Sequence, residues 1–330
     1  MGAGQFDTSI YDAAAKYRKQ TGQSAFQYTR NVNSGAAPRQ CHPDLDPKGV
    51  LMRESRDSDE HPNSMAITVI FDETGSMGSV PMVVQEKLKS LFGLLLRKGY
   101  VDDPQIMVGG VGDSYTDTVA PLQVAQFESD NRIDTQLGNI YLEGNGGGQG
   151  MEGYELIPYF MARHTSIDCF EKRGRKGYLF IIGDEDTYPF VDPANVRRWI
   201  GDELGEKIPV KAMFDECAER YHIYRIEPSG SSYHGASHIT KHWKELLGDE
   251  HVIQLEDLDA VSETIALTIG MMEGAIDLQQ GLADLNDVGS KAGKVVSKAL
   301  ATIGSASSGP MVKATSPASL SAAADAVARI

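Results

Sequence analysis

Cysteine is scarce in this chain, and its three copies lie far apart, at Cys41, Cys169 and Cys217 of 330 residues. Such a set excludes a disulfide framework and favours a reducing compartment. Positive charge is also in deficit: 31 Lys and Arg against 46 Asp and Glu leave a formal charge of -15. Phosphate-rich partners would be repelled, so neither nucleic acid nor an anionic membrane surface is expected. No apolar run reaches the ~18 residues of a membrane span. The opening "MGAGQFDTSIYDAAAKY" lacks the apolar run of a signal peptide, and Phe6 breaks the myristoylation pattern. These absences lead to the expectation of a cytoplasmic protein. What remains is ordinary, with 41% hydrophobic and 23% charged residues, enough for one core of roughly 200 residues with terminal extensions to spare.

The chain divides into three regions. Residues 1–62 are polar and rich in turn formers, as in "NVNSGAAPRQCHPDLDPKG" and "RESRDSDEHPNS". They are expected to lack a core of their own, and either to lie on the main domain or to stay mobile. Residues 63–278 alternate strand and helix patterns. Met65 to Phe71, "PQIMVGGVGD", "PLQVAQFE", "GYLFIIGDED", "YHIYRIEP" and "HVIQL" read as strands. Helices are expected at Val83–Leu96, at 131–142, from Met151 to Arg163, around Asn195–Leu204, at Val210–Glu219 and from Asp257 to Leu278. That alternation predicts an α/β domain, a mainly parallel six-stranded sheet with helices on both faces. Residues 279–330 drift to Ala, Ser, Gly and Lys, with Leu282, Leu285, Val296, Leu300 and Ile303 at roughly helical intervals and "ASLSAAADAVARI" as a further short helix. This tail is expected to be partly helical and to dock a partner or a second copy of the chain, with a loosely ordered tail as the alternative.

"ITVIFDETGSMGSVP", Ile67 to Pro81, poses the functional question. A strand suited to a core ends in Asp72, Thr74 and Ser76, oxygen-bearing side chains at every second position. Helix capping is the plain alternative, but Ser79 followed by Pro81 already supplies a start for the next helix. A carboxylate and two hydroxyls directed to one side suit a hard divalent cation such as Mg²⁺, with Mn²⁺ or Ca²⁺ as alternatives.

On these residues "DETGSM" resembles the first loop, DxTxS, of the metal-ion-dependent adhesion site of von Willebrand factor A domains. "EGNGGGQGMEGYELIPYF" resembles the GGGxxxE variant of that site's second loop, and "LFIIGDED" places Asp184 where the third loop contributes its Asp. The resemblance spans about residues 63–278 and is nearest to uncharacterised bacterial and phage members. It implies a doubly wound, Rossmann-like sheet of order 3-2-1-4-5-6, in which strands one and four are neighbours at a switch point where ligands bind. It also implies metal ligation by Asp72, Thr74, Ser76 and Asp184. The second loop departs from the family pattern, having no Thr. Asn145, Gln149 and Glu152 are its polar candidates, and the amide of Gln149 is the substitute expected at the metal, directly or through water. The implied function is a protein-binding module in which a partner's Asp or Glu completes the coordination of the cation. Cytosolic bacterial members often work beside MoxR-type AAA+ ATPases, which makes such an ATPase an expected partner. A structural or assembly protein, for instance of a phage, is a second reading, and a metal-dependent hydrolase a third.

Other constellations are weaker. Thr74 stands where a haloacid dehalogenase-type phosphotransferase needs its second acid. "GSKAGKVV" is one residue short of a P-loop and has Val at the Mg²⁺-binding position. His234, His238 and His242 recur every four residues without the Glu of an HExxH zinc motif and are expected at the surface or at caps. Cys169 reads as a buried thiol, not as a nucleophile served by His164. "EKRGRKG" is expected to be a solvated turn, or the place where an acidic partner first lands, and Glu185 and Asp186 to be solvated acids at the rim. With no nucleophile paired to a base, the chain is expected not to be an enzyme.

Overall fold

Nine consecutive buried residues, Ser64–Asp72, form the central strand of the computed structural model, which describes residues 7, 26–117, 119–144 and 150–306. Its apolar and β-branched residues suit a strand covered on both faces, where side chains of either parity must avoid water. The sheet contains six strands: β1 (Ser64–Asp72), β2 (Asp103–Val111), β3 (Leu122–Val124), β4 (Gly177–Ile182), β5 (Tyr221–Pro228) and β6 (Val252–Leu255). Their spatial order is β6-β5-β4-β1-β2-β3. All neighbours run parallel except β2 and β3, which pair antiparallel at the edge. β1 is held along its full length by β2, from Ser64 opposite Asp103 to Asp72 opposite Val111, and on its other side by β4. The order expected of the sheet is the order observed.

Helices cover the sheet, with Val80–Arg97 packed against Val261–Met272 and Leu156–Arg163 against Val210–Ala218. No helix among the described residues is long and apolar enough to cross a membrane. Residues 26–62 lie on the domain: Phe26, Tyr28, Cys41 and Leu45 are buried in its core, and Phe26 meets Phe71 edge to face at 6.2 Å. Arg53–Ser55 also adds a short parallel pairing with Thr165–Ile167.

Several element bounds differ from expectation, each for a local reason. The pattern from Met151 to Arg163 divides. Met151–Glu152 is a short strand paired with Asp186–Thr187, and the helix begins at Leu156. Gly153 makes that break, because its amide donates to Gly112 O at 2.9 Å and a Cβ there would lie 2.7 Å from the same oxygen. The helix predicted from Asp257 to Leu278 ends at Met272. Gly274 then takes φ 68°, a left-handed conformation natural to glycine, and the chain restarts at Leu278 with the Asp277 side chain capping Gln280 N. Past that point Leu285, Val296, Leu300 and Ile303 are buried against the domain. The Asp284 carboxylate accepts from Tyr100 Oη at 2.8 Å and from Lys98 Nζ at 3.2 Å. The "ASLSAAADAVARI" segment lies outside the described residues.

"EKRGRKG" is a largely exposed turn, as expected, but its bases have partners within the chain. Lys172 pairs with Asp57 and Asp168, Arg173 with Asp57, and Arg175 with Glu273, while Lys176 Nζ donates to Ala218 O at 2.7 Å. Burial alone would raise the Asp57 carboxyl, but hydrogen bonds from Arg173, Ser64 and Lys172 hold it well below the usual carboxylate range.

Candidate metal centre

β1 and β4 are adjacent and parallel, so the loops that leave their C-terminal ends open into one crevice. The first carries Asp72, Thr74 and Ser76; the second carries Asp184. Thr74 turns back on Asp72, its amide and hydroxyl donating to Asp72 Oδ1 at 2.8 and 2.6 Å. Thr74 Oγ1 lies 3.1 Å from Ser76 Oγ, which donates to Asp184 Oδ1 at 2.8 Å. Asp184 Oδ2 accepts the amide of Tyr233 at 3.0 Å, and Ser232 bonds to Ser76 O through both amide and hydroxyl. The structure therefore brings together four of the five side chains expected at the metal. The fifth, Gln149, lies outside the described residues, as does Asn145.

Glu152, the acid of the GGGxxxE element, reaches the same crevice by strand pairing. Glu152 opposes Thr187, which sets the second loop beside the third. Glu185, expected to be a solvated acid, is instead 4% exposed. Its carbonyl accepts from Trp243 Nε1 at 3.1 Å and Arg225 Nη2 at 3.0 Å, which folds the residue inward. Burial first, then the hydrogen bond to Glu185 and the charge of Asp72, push the Glu152 carboxyl up, and burial raises Glu185 as well. Asp186 is partly exposed and pairs with His242.

Two further residues support the site, and sequence reasoning assigned no role to either. Tyr154 is fully buried and donates its hydroxyl to Asp72 Oδ2. Arg225, also fully buried, stacks its guanidinium on the rings of Tyr154 and Trp243 at 4.3 and 4.4 Å. A basic residue inside the apolar run of "YHIYRIEP" was the available signal for Arg225. Burial pushes the Asp72 carboxyl up to about 6; hydrogen bonds from Thr74 and Tyr154 pull the other way and Asp184 adds to the rise. The charge of the buried guanidinium acts on Tyr154 and Glu185, opposing the rise that burial gives both.

The donor set fits a small hard cation. Neighbouring ligands of an octahedral Mg²⁺ at 2.0–2.1 Å are separated by about 2.9 Å, and the chain of oxygens from Asp72 to Asp184 runs in steps of 2.6, 3.1 and 2.8 Å. Among the described residues no three His, Cys, Asp or Glu side chains form a metal-holding group. A cation here would therefore draw on two carboxylates, two hydroxyls and water. Cys169 and His164 do not form a thiol–imidazole pair in the described structure. Cys169 is buried, and His164 spends one ring nitrogen on Val50 O and the other on Asp202, each at 2.8 Å.

No family model matches the chain, and no curated protein matches it by sequence. Among solved structures it is similar to the open conformation of the pilus adhesin SpaC from Lactobacillus rhamnosus GG, with TM-score 0.44 and 8% identity over 66% of this chain. It is also similar to proximal thread matrix protein 1 from the mussel byssus, with TM-score 0.41 and 10% identity over 69% of this chain. The matches span 31% of the adhesin and 47% of the matrix protein.

Proposed function

We propose that this protein is a divalent-cation-dependent docking module on a doubly wound, von Willebrand factor A-type domain. The observation that carries this reading is the continuous chain of oxygens from Asp72 through Thr74 and Ser76 to Asp184, residues from two loops at one end of the sheet. Asp72, Thr74, Ser76 and Asp184 would hold Mg²⁺ or Mn²⁺, and such a cation would offer a coordination position to a partner's Asp or Glu. The residues around it make the cation the gate. A crevice holding Asp72, Asp184 and the Glu152–Glu185 pair on a chain of charge -15 repels a carboxylate. A bound cation reverses that local sign. Tyr154 and Arg225 fix the orientation of Asp72 from below.

Thermal unfolding of the full chain with Mg²⁺ or Mn²⁺ and with chelator tests this reading, using wild type, Asp72→Ala and Asp184→Ala. A cation at ~100 times its dissociation constant stabilises the native state by about 2.7 kcal/mol, a rise of roughly 5–10 °C for a domain of this size. Wild type should show the rise, and in both variants it should fall by the share that this centre contributes. Unfolding that ignores chelator in wild type sinks the proposal.

A second reading, a scaffold with a relict site, is favoured by one observation. Both carboxylate oxygens of Asp72 already have hydrogen-bond donors, so the loop is satisfied without a cation. The same unfolding experiment separates the two.

A further inference from the structure

We propose that the protein holds a second divalent cation, between Glu73 and Asp117, on the β2 side of the β1 end and away from the Ser76–Asp184 contact. This site uses none of the four ligands of the first centre. Glu73 follows Asp72 and is 3% exposed; Asp117, in the loop after β2, is 2% exposed. Each uses one carboxylate oxygen. Glu73 Oε2 accepts from Gln123 Nε2 at 2.6 Å, and Asp117 Oδ2 accepts the amide of Asp113 at 2.7 Å. Gln123 cannot turn to serve the other oxygen, because Tyr141 holds both ends of its amide: Nε2 donates to Tyr141 O at 2.8 Å and Oε1 accepts Tyr141 N at 2.9 Å. Glu73 Oε1 and Asp117 Oδ1 are left buried with no hydrogen-bond partner.

The two carboxylates converge on Gly112. A Cβ at that position would lie 2.1 Å from Asp117 Oδ2 and 3.7 Å from Glu73 Oε1. No cation pairs with Glu73 or Asp117 among the described residues; Arg39, at 3.1 Å, serves Glu143, whose charge bears on both. A buried carboxylate oxygen without a partner costs on the order of 1–3 kcal/mol or more, and two facing acids add repulsion. A hard divalent cation removes both costs, since two carboxylates balance its charge and supply its preferred ligand atom. An irregular set of carboxylates from loops suits Ca²⁺ or Mn²⁺, which tolerate varied geometry, better than Mg²⁺.

Isothermal titration of the chelator-stripped full chain with Mn²⁺ and with Ca²⁺ decides the matter through stoichiometry. Wild type is expected to bind two equivalents of Mn²⁺, Asp117→Asn and Glu73→Gln one each, Asp72→Ala one, and Asp72→Ala with Asp117→Asn none. Both amide variants are isosteric, and circular dichroism confirms their folding; if one fails to fold, the other decides. The proposal is overturned if the amide variants keep the wild-type stoichiometry, above all if they also melt higher in chelator, since Glu73 and Asp117 are then a pair of neutral buried acids. If Asp72→Ala alone leaves the stoichiometry unchanged, the docking-module reading fails while the second site stands.

Discussion

Ser76 Oγ donates to Asp184 Oδ1 across 2.8 Å, joining two residues 108 positions apart in the chain. The bond exists because β1 and β4 are adjacent and parallel, so that both loops leave the same end of the sheet. It makes Ser76 the link between the two halves of the candidate centre. Ser76→Ala removes one hydroxyl ligand and one hydrogen bond from a half-buried position. Stability in chelator should fall by only about 1 kcal/mol, whereas affinity for Mg²⁺ or Mn²⁺ should fall at least 10- to 100-fold. Equal affinity in the variant and wild type would remove Ser76 from the ligand set.

Gly183→Ala should damage the site from beneath. A Cβ at Gly183 would sit 2.1 Å from Tyr154 Oη and 2.9 Å from Arg225 Nη1. Neither neighbour has room to retreat, because both are fully buried and stacked on one another. Overpacking of this kind costs about 1–3 kcal/mol, and here it displaces the phenol that holds Asp72 Oδ2. The expected result is a lower unfolding midpoint in chelator together with weaker cation binding, read by urea titration and calorimetry on the same sample. A variant that loses stability but binds as wild type would show that Tyr154 does not position Asp72.

The parts of the centre that were legible in the sequence are those whose signal is local. An apolar run ending in Asp72, Thr74 and Ser76 announces a buried strand and an oxygen-rich loop at its end, and "LFIIGDED" does the same for Asp184. Glu185 was not legible, since its burial depends on Trp243 and Arg225, which reach it from 58 and 40 residues away. The bases of "EKRGRKG" obey the same rule, being spent on acids as distant as Asp57 and Glu273. Helix ends were misplaced where a single glycine decides, at Gly153 through close backbone approach and at Gly274 through a left-handed φ. Periodicity reports that a residue belongs to an apolar face. It does not report which surface that face covers.

Glu155 should give the chelated protein an inverted pH dependence. It is fully buried and accepts from Ser114 Oγ at 2.7 Å; burial pushes its carboxyl up to about 8, against the opposing pull of Ser114. The unfolded chain releases this proton near the ordinary Glu value, roughly 4.3, while the native state keeps it to about 8. The stabilising contribution is therefore complete below about pH 4 and declines as pH rises to 8, by up to about 1.4 kcal/mol per pH unit from this group. Asp117, raised to about 7 chiefly by burial and then by Glu143, acts in the same direction. Glu155→Gln should flatten the slope between pH 5 and 8 and melt above wild type at pH 8. An unchanged slope in denaturation curves across that range would place the titration elsewhere.

Leu285 tests what the residues after Gly274 contribute to the domain. Its side chain is fully buried, one position from the Asp284 carboxylate that Tyr100 and Lys98 hold. Its helix, Leu278–Asp287, packs on Val261–Met272. Leu285→Ala leaves a cavity inside the chain and should cost about 2–5 kcal/mol, lowering the unfolding midpoint by roughly 5–15 °C with no change in oligomeric state. A tail that served only to join copies of the chain would behave in the opposite way. Sedimentation would then shift toward smaller species while the midpoint, extrapolated to low protein concentration, stayed where it was. Unfolding and sedimentation velocity on the one variant separate these outcomes, and loss of stability without loss of mass assigns this helix to the core.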